Sequence, residues 1–191
     1  MSESGELLSR LNGRRFYQDH LTAVGIPSDT VINYERKLGL SLVSAPPGRG
    51  RARQFCLADV YMLKLATEIF VLTGSAIAGV ETANNLMYER EEDGKIFSKR
   101  NDDEYRLMVE QDIFAAYNPV FTQRTFIHYY LWSIAPRNGF FLTLPGERFD
   151  PIRDRDLTRH RMAFINVTQT LKDLDQQLDH LLQAEFGDQY T

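Results

Sequence analysis

Gly25-Ile26-Pro27-Ser28-Asp29-Thr30-Val31-Ile32-Asn33-Tyr34-Glu35-Arg36-Lys37-Leu38-Gly39-Leu40 is the stretch whose reading decides the fold of this chain. Before it, Leu21 and Val24 lie three apart and share one face of a short helix from Gln18 to Val24. Gly25 tolerates a positive φ and Pro27 disfavours helical geometry at Ile26, so the chain reverses there. Ser28 is a good N-cap and Asp29 suits the positive end of a helix dipole. The spacing predicts a second helix to Lys37 or Leu38. Val31 and Tyr34 face inward, Leu38 lies one turn on, and Thr30, Asn33 and Lys37 face outward with Arg36 at the margin.

Working outward, the segment after Leu40 reads Ser-Leu-Val-Ser-Ala-Pro-Pro-Gly-Arg-Gly-Arg-Ala-Arg. Its prolines and glycines exclude a helix and suit a hairpin-like wing. Arg36, Lys37, Arg49, Arg51 and Arg53 are five basic residues in a span from 36 to 53 that holds no acid, in a chain of formal net charge −4. Such a local reversal suits phosphate neutralisation, although an arginine run is also what a solvated surface loop looks like. Helix, turn, helix, basic loop and helix is the order of a winged helix-turn-helix, a shape that sits on duplex DNA.

Several motifs in this order resemble the MerR family of bacterial transcription regulators. Thr30-Val31-Ile32-Asn33-Tyr34-Glu35-Arg36 is similar to that family's Thr-Leu-Arg-Tyr-Tyr-Glu-Arg recognition helix, and Gly39-Leu40 to the Gly-Leu after it. Arg53-Gln54-Phe55 and Cys56-Leu57-Ala58-Asp59-Val60 resemble the wing end and the start of the third helix. Leu63, Gly74, Ile77 and Val80 match the helices that follow, so the likeness spans about a third of the chain. Two departures stand where the family touches DNA: Ile32-Asn33 replaces Arg-Tyr, and Leu38 adds one residue before Gly39. The resemblance implies phosphate or groove contacts at Tyr34, Arg36 and Arg53, and the basic run adds Arg49 and Arg51 as wing residues that would grip the backbone. Thr30, Asn33 and Lys37 become the candidates for base edges, since Asn pairs bidentately with adenine and Lys reaches guanine acceptors. Tyr34 serves equally well as a core aromatic, and Phe55 reads as core.

Composition limits the rest. With 191 residues and 43% hydrophobic content the chain buries one substantial core or two small ones. It contains no apolar run of membrane-spanning length, and no apolar h-region follows Met1-Ser2-Glu3-Ser4, which predicts a cytosolic protein without a membrane partner. Cys56 is the single cysteine, so an internal disulfide and a multi-cysteine metal site are excluded. Its place at a helix start admits a stabilised thiolate, though a small buried residue suits the position as well.

A charged break, Glu89-Arg90-Glu91-Glu92-Asp93-Gly94 within residues 88–95, closes an N-terminal domain at about residue 90. Residues 95–150 read as a small α+β domain: a helix over 103–117, then aromatic and β-branched strands at 124–134 and 140–144 about the turn Pro136-Arg137-Asn138-Gly139. Tyr129, Tyr130, Trp132 and Phe141 are candidates to stack on a small-molecule effector or a protein partner, or to fill a core. His128 in this run fits packing better than ligation.

Residues 154–186 read as a long C-terminal helix. Phe164, Val167, Leu171, Leu174, Leu178 and Leu181 recur at intervals of three, four, three, four and three, an a/d seam. It predicts a dimerisation helix, as two copies reading one duplex would need, or else a face packed on the chain's own domains. Arg159, His160 and Arg161 before it offer a further phosphate contact or plain surface. The predicted class is therefore mainly α with a small α+β part: winged helix-turn-helix (1–90), α+β segment (95–150) and dimerisation helix (154–186).

Enzyme chemistry finds no motif. His20, His128, His160 and His180 are scattered, and there is no nucleophile elbow, metal-binding helix or phosphate-cradling loop, so neither cofactor nor metal is expected. The expected function is sequence-specific duplex-DNA binding in transcriptional regulation by a homodimer. The alternative is a protein-interaction adaptor that keeps the shape without reading bases.

Overall fold

The computed structural model describes residues 7, 10–44, 46, 49–87, 130–133, 141–142 and 163–187. This part is mainly helical: α1 (Gln18–Ala23), α2 (Ser28–Ile32) continuing into a π-helical turn (Asn33–Lys37), α3 (Leu57–Thr73), α4 (Ala76–Met87), β1 (Tyr130–Ser133), β2 (Phe141–Leu142), β3 (Ala163–Asn166) and α5 (Val167–Phe186). The charged break at 88–95, the helix expected over 103–117, His128, Tyr129 and the stretch 153–161 lie outside the described residues.

The turn between α1 and α2 forms as its residues dictate. Gly25 takes φ +82°, and the Ile26 N–H donates back to the Leu21 carbonyl at 2.9 Å. Lys64 on α3 places its ammonium 3.1 Å from the Val24 carbonyl, satisfying an orphan acceptor at the end of α1. Ser28 is not the expected N-cap. Pro27 holds that position with φ −61° and ψ 148°, and its carbonyl accepts the Thr30 N–H at 3.1 Å.

After Ile32 the helix widens. The Leu38 N–H donates to the Asn33 carbonyl at 3.2 Å, a five-residue step, and the Leu40 N–H reaches back six residues to Tyr34 at 2.8 Å. Gly39, at φ +78°, closes the end. An ordinary glycine-ended helix makes this last bond across five residues. The closing bond here spans one residue more, as the wider π-turn before it requires.

α3 is the central element. Leu57–Leu63, Leu65–Thr67 and Ile69 are all buried, so it is covered on nearly every side, as a helix apolar all round must be. At its start Asp59, fully buried, accepts N–H bonds from Val43 (2.6 Å), Ser44 (3.2 Å) and Cys56 (3.2 Å), joining the helix to the preceding loop. α4 crosses α3 closely: a Cβ at Gly79 would run into the Ala66 carbonyl oxygen.

The three strands form an antiparallel sheet in the order β2-β1-β3. β1 and β2 pair Leu131 with Leu142 and Trp132 with Phe141, as the aromatic runs about a turn predicted. β3 pairs with β1 through Leu131–Ile165 and Trp132–Phe164. Here the expectation of a helix over 154–186 is corrected. Residues 163–166 are strand, and α5 begins only at Val167, where the Asn166 side chain accepts the Gln169 N–H at 3.0 Å as a true N-cap.

The seam is corrected as well. Val167, Leu171, Leu174 and Leu178 are buried within this chain, Leu181 only partly, and Phe164 lies on β3. The buried face also takes in Thr168, Asp175 and Leu182, the heptad e positions. An a/d/e stripe is the width of a globular helix face, whereas a dimer seam keeps to a and d. α5 spends this face on its own core. Tyr61 of α3 donates to Asp175 at 2.5 Å, His20 of α1 meets Glu185 at 2.7 Å, and Arg10 meets Asp179 at 3.2 Å. The described parts of all three expected segments share one hydrophobic cluster, from Leu11 through Leu131 and Ile165 to Leu182.

Candidate nucleic-acid interface

Burial of Val31 and Tyr34 against the core fixes which face of α2 and its π-turn looks outward. Arg36 and Lys37 are exposed there, and Thr30 and Asn33 are half-buried beside them. Tyr34 is not a contact: it is 5% exposed, packed in the core near Thr67, and burial pushes its phenol above the ordinary value. The core alternative is the one the chain adopts, because Tyr34 shares the inward face with Val31, three residues earlier.

The arginine loop is fastened at both feet. Its start hangs from Asp59 through the Val43 and Ser44 N–H groups. At its end Phe55 and Phe16 exchange two backbone hydrogen bonds of 2.9 Å, an isolated antiparallel bridge. Between the feet Arg49 and Arg51 are exposed. Arg53 is not. Its guanidinium makes a two-pronged pair with Glu35 at 2.6 and 2.9 Å and stacks 5.0 Å over the Phe55 ring, leaving its side chain 17% exposed. The expectation of a freely exposed Arg53 is thus corrected: its guanidinium is already paired within the protein.

That pairing shapes the local field. Glu35 is the only acid between Asp29 and Asp59, and it is buried under Arg53. Every exposed charged side chain from Thr30 to Ala58 among the described residues is therefore positive: Arg36, Lys37, Arg49 and Arg51. A run of exposed cations, bounded by the exposed Asp29 at the head of α2, in a chain of net charge −4 attracts a polyanion locally, while the acids elsewhere repel it.

The Phe16–Phe55 bridge is not legible in the sequence, and it brings further polar groups to the loop's foot. Arg14 and Arg15 precede it, and the Tyr17 hydroxyl accepts a 3.0 Å bond from Gln54. The available signal is the repeat of a basic residue ahead of an aromatic in Arg15-Phe16 and Arg53-Gln54-Phe55. It says nothing about pairing by itself.

Cys56 is buried beside Asp59 at the head of α3, and burial first, then the neighbouring carboxylate, keeps its thiol protonated. Among the described residues no three His, Cys, Asp or Glu side chains gather as a metal site would require, and no helix is long and apolar enough to cross a membrane. The effector pocket expected around Tyr129, Tyr130, Trp132 and Phe141 lies outside the described side chains. Comparison with family models, with curated proteins and with solved structures finds no match.

Proposed function

We propose that this chain is a sequence-specific duplex-DNA-binding regulator of MerR-like, winged helix-turn-helix type. The observation that carries the reading is a set of exposed cations: Arg36 and Lys37 on the outer side of the recognition helix, Arg49 and Arg51 on the wing, and the one acid between them and Asp29, Glu35, buried. Thr30, Asn33 and Lys37 lie where base edges would be read, and the arginines supply salt-sensitive affinity. The π-turn supports the same reading. It sits where this helix carries one residue more than the motif it resembles, so Val31 and Tyr34 stay inward. Binding as two copies belongs to the proposal, joined through a surface other than the α5 face that the core consumes.

The test is selection from a randomised duplex library with the purified chain. Enrichment of an inverted repeat supports a dimeric sequence reader; an unenriched pool from folded protein refutes base reading. A second reading, a protein-interaction adaptor, is favoured by one observation: Phe70, Val71, Leu72 and Ile77 are exposed around the Gly74 corner between α3 and α4. Apolar residues gathered in this way on a surface mark protein contacts. An unenriched pool would transfer the assignment to that corner.

A further inference from the structure

We infer that Glu35 and Arg53 are a clasp that positions the arginine loop against the recognition helix, a role in which Arg53 itself neutralises no phosphate. The inference rests on the DNA-binding reading and specifies how its two contact elements are held together.

The geometry points to it in three ways. First, the pair joins the two elements directly: Glu35 stands on the π-turn beside Arg36, and Arg53 stands two residues beyond Arg51. Second, the guanidinium is held from three sides, by two carboxylate oxygens at 2.6 and 2.9 Å and by the Phe55 ring at 5.0 Å. Phe55 is in turn bridged to Phe16, so Arg53 is fixed to the frame as well as to the helix. Third, the carboxylate matches the charge at contact distance. A cation whose countercharge is a buried carboxylate releases no counterion when DNA arrives, whereas a planar two-pronged fork is the geometry best suited to fixing orientation.

A clasp and a direct contact predict opposite signs for Glu35→Gln. Freed from its carboxylate, a contacting Arg53 would grip phosphate better, and the dependence of log Kd on log salt would steepen by about 0.9. Loss of a clasp instead releases the loop and with it Arg49 and Arg51, flattening the dependence by about 1.8 even though the protein has become more positive. The measurement is a salt titration of the full chain on a fluorescein-labelled mixed-sequence duplex, with far-UV circular dichroism to establish folding. Should Glu35→Gln fail to fold, Arg53→Lys decides. It keeps the charge and removes the fork, so the clasp predicts the same flattening and no further effect of Arg51→Ala in that background. A direct contact predicts a wild-type slope and a full additional loss of about 0.9 from Arg51→Ala. A steeper slope in Glu35→Gln, or a wild-type slope in Arg53→Lys, overturns the clasp and leaves DNA binding standing. Absence of salt-sensitive binding by the wild-type chain overturns the underlying reading and the clasp with it.

Discussion

The Tyr61 hydroxyl and the Asp175 carboxylate meet at 2.5 Å inside the core, joining α3 to α5 across 114 positions of sequence. A hydrogen bond to a buried charged acceptor contributes about 1.5–3 kcal/mol. Tyr61→Phe keeps the ring and removes the donor, so urea denaturation should show a loss within that range. A change under about 0.5 kcal/mol would mean that the bond contributes little and that α5 is held by its apolar face alone.

The burial of Leu171, Leu174 and Leu178 within one chain predicts how α5 responds to truncation. Leu174→Ala should cost about 2–5 kcal/mol, as a buried leucine does. If this face is intramolecular, any dependence of the thermal midpoint on protein concentration should be the same in wild type and variant. A midpoint that rises with concentration, and loses that rise in Leu174→Ala, would restore the seam to an interface between copies.

Gly79 permits the close crossing of α3 and α4, because a Cβ there would collide with backbone, the Ala66 carbonyl. Backbone yields less than a flexible side chain. Gly79→Ala should therefore destabilise by about 1–3 kcal/mol in chemical denaturation, despite alanine's better helix propensity. Equal or greater stability would contradict the crossing.

Two buried acids make the fold sensitive to alkali. Burial, reinforced by the Asp59 carboxylate, raises the Cys56 thiol above its ordinary 9.0, and burial raises the Tyr34 phenol above 10.0 despite the hydrogen bond with Thr67. Both groups stay protonated in the folded chain where the unfolded chain has begun to lose those protons. The unfolded state then binds fewer protons, so stability falls as pH rises through about 9 and 10. Urea midpoints between about pH 8 and pH 11 should decline, and Cys56→Ser should lessen the part that begins near pH 9. A thiol reagent should label Cys56 no faster than the chain unfolds; fast labelling of the native protein would contradict its burial.

What the sequence discloses and what it withholds divide along physical lines. The turn at Gly25-Ile26-Pro27 and the inward set Leu21, Val24 and Val31 are legible because they depend on neighbours a few residues away. The aromatic runs around 130 and 141 announce β1 and β2 for the same reason. β3 reads as helix because Phe164 and Val167 continue an a/d spacing, and only β1, about thirty residues earlier, gives Ala163–Asn166 a ladder to join. The partner of the α5 face is likewise invisible in its period, although Leu182 beside Leu181 hints at a stripe wider than a seam. Of the candidate interface, exposure of Arg36, Lys37, Arg49 and Arg51 follows from local chemistry. The withdrawal of Arg53 does not, because Glu35 lies 18 residues away and nothing local reveals their pairing.

Arg36, Lys37, Arg49 and Arg51 are the exposed cations on which the proposed DNA binding depends, and the salt dependence of the wild-type chain's affinity for duplex DNA tests it most directly. If Arg36, Arg49 and Arg51 each meet a phosphate while Lys37 reads a base edge, the slope of log binding constant against log salt should be about −2.7 per chain, at about 0.9 per contact. A slope near zero, or binding too weak to detect at low salt, would contradict the proposal that these residues read DNA.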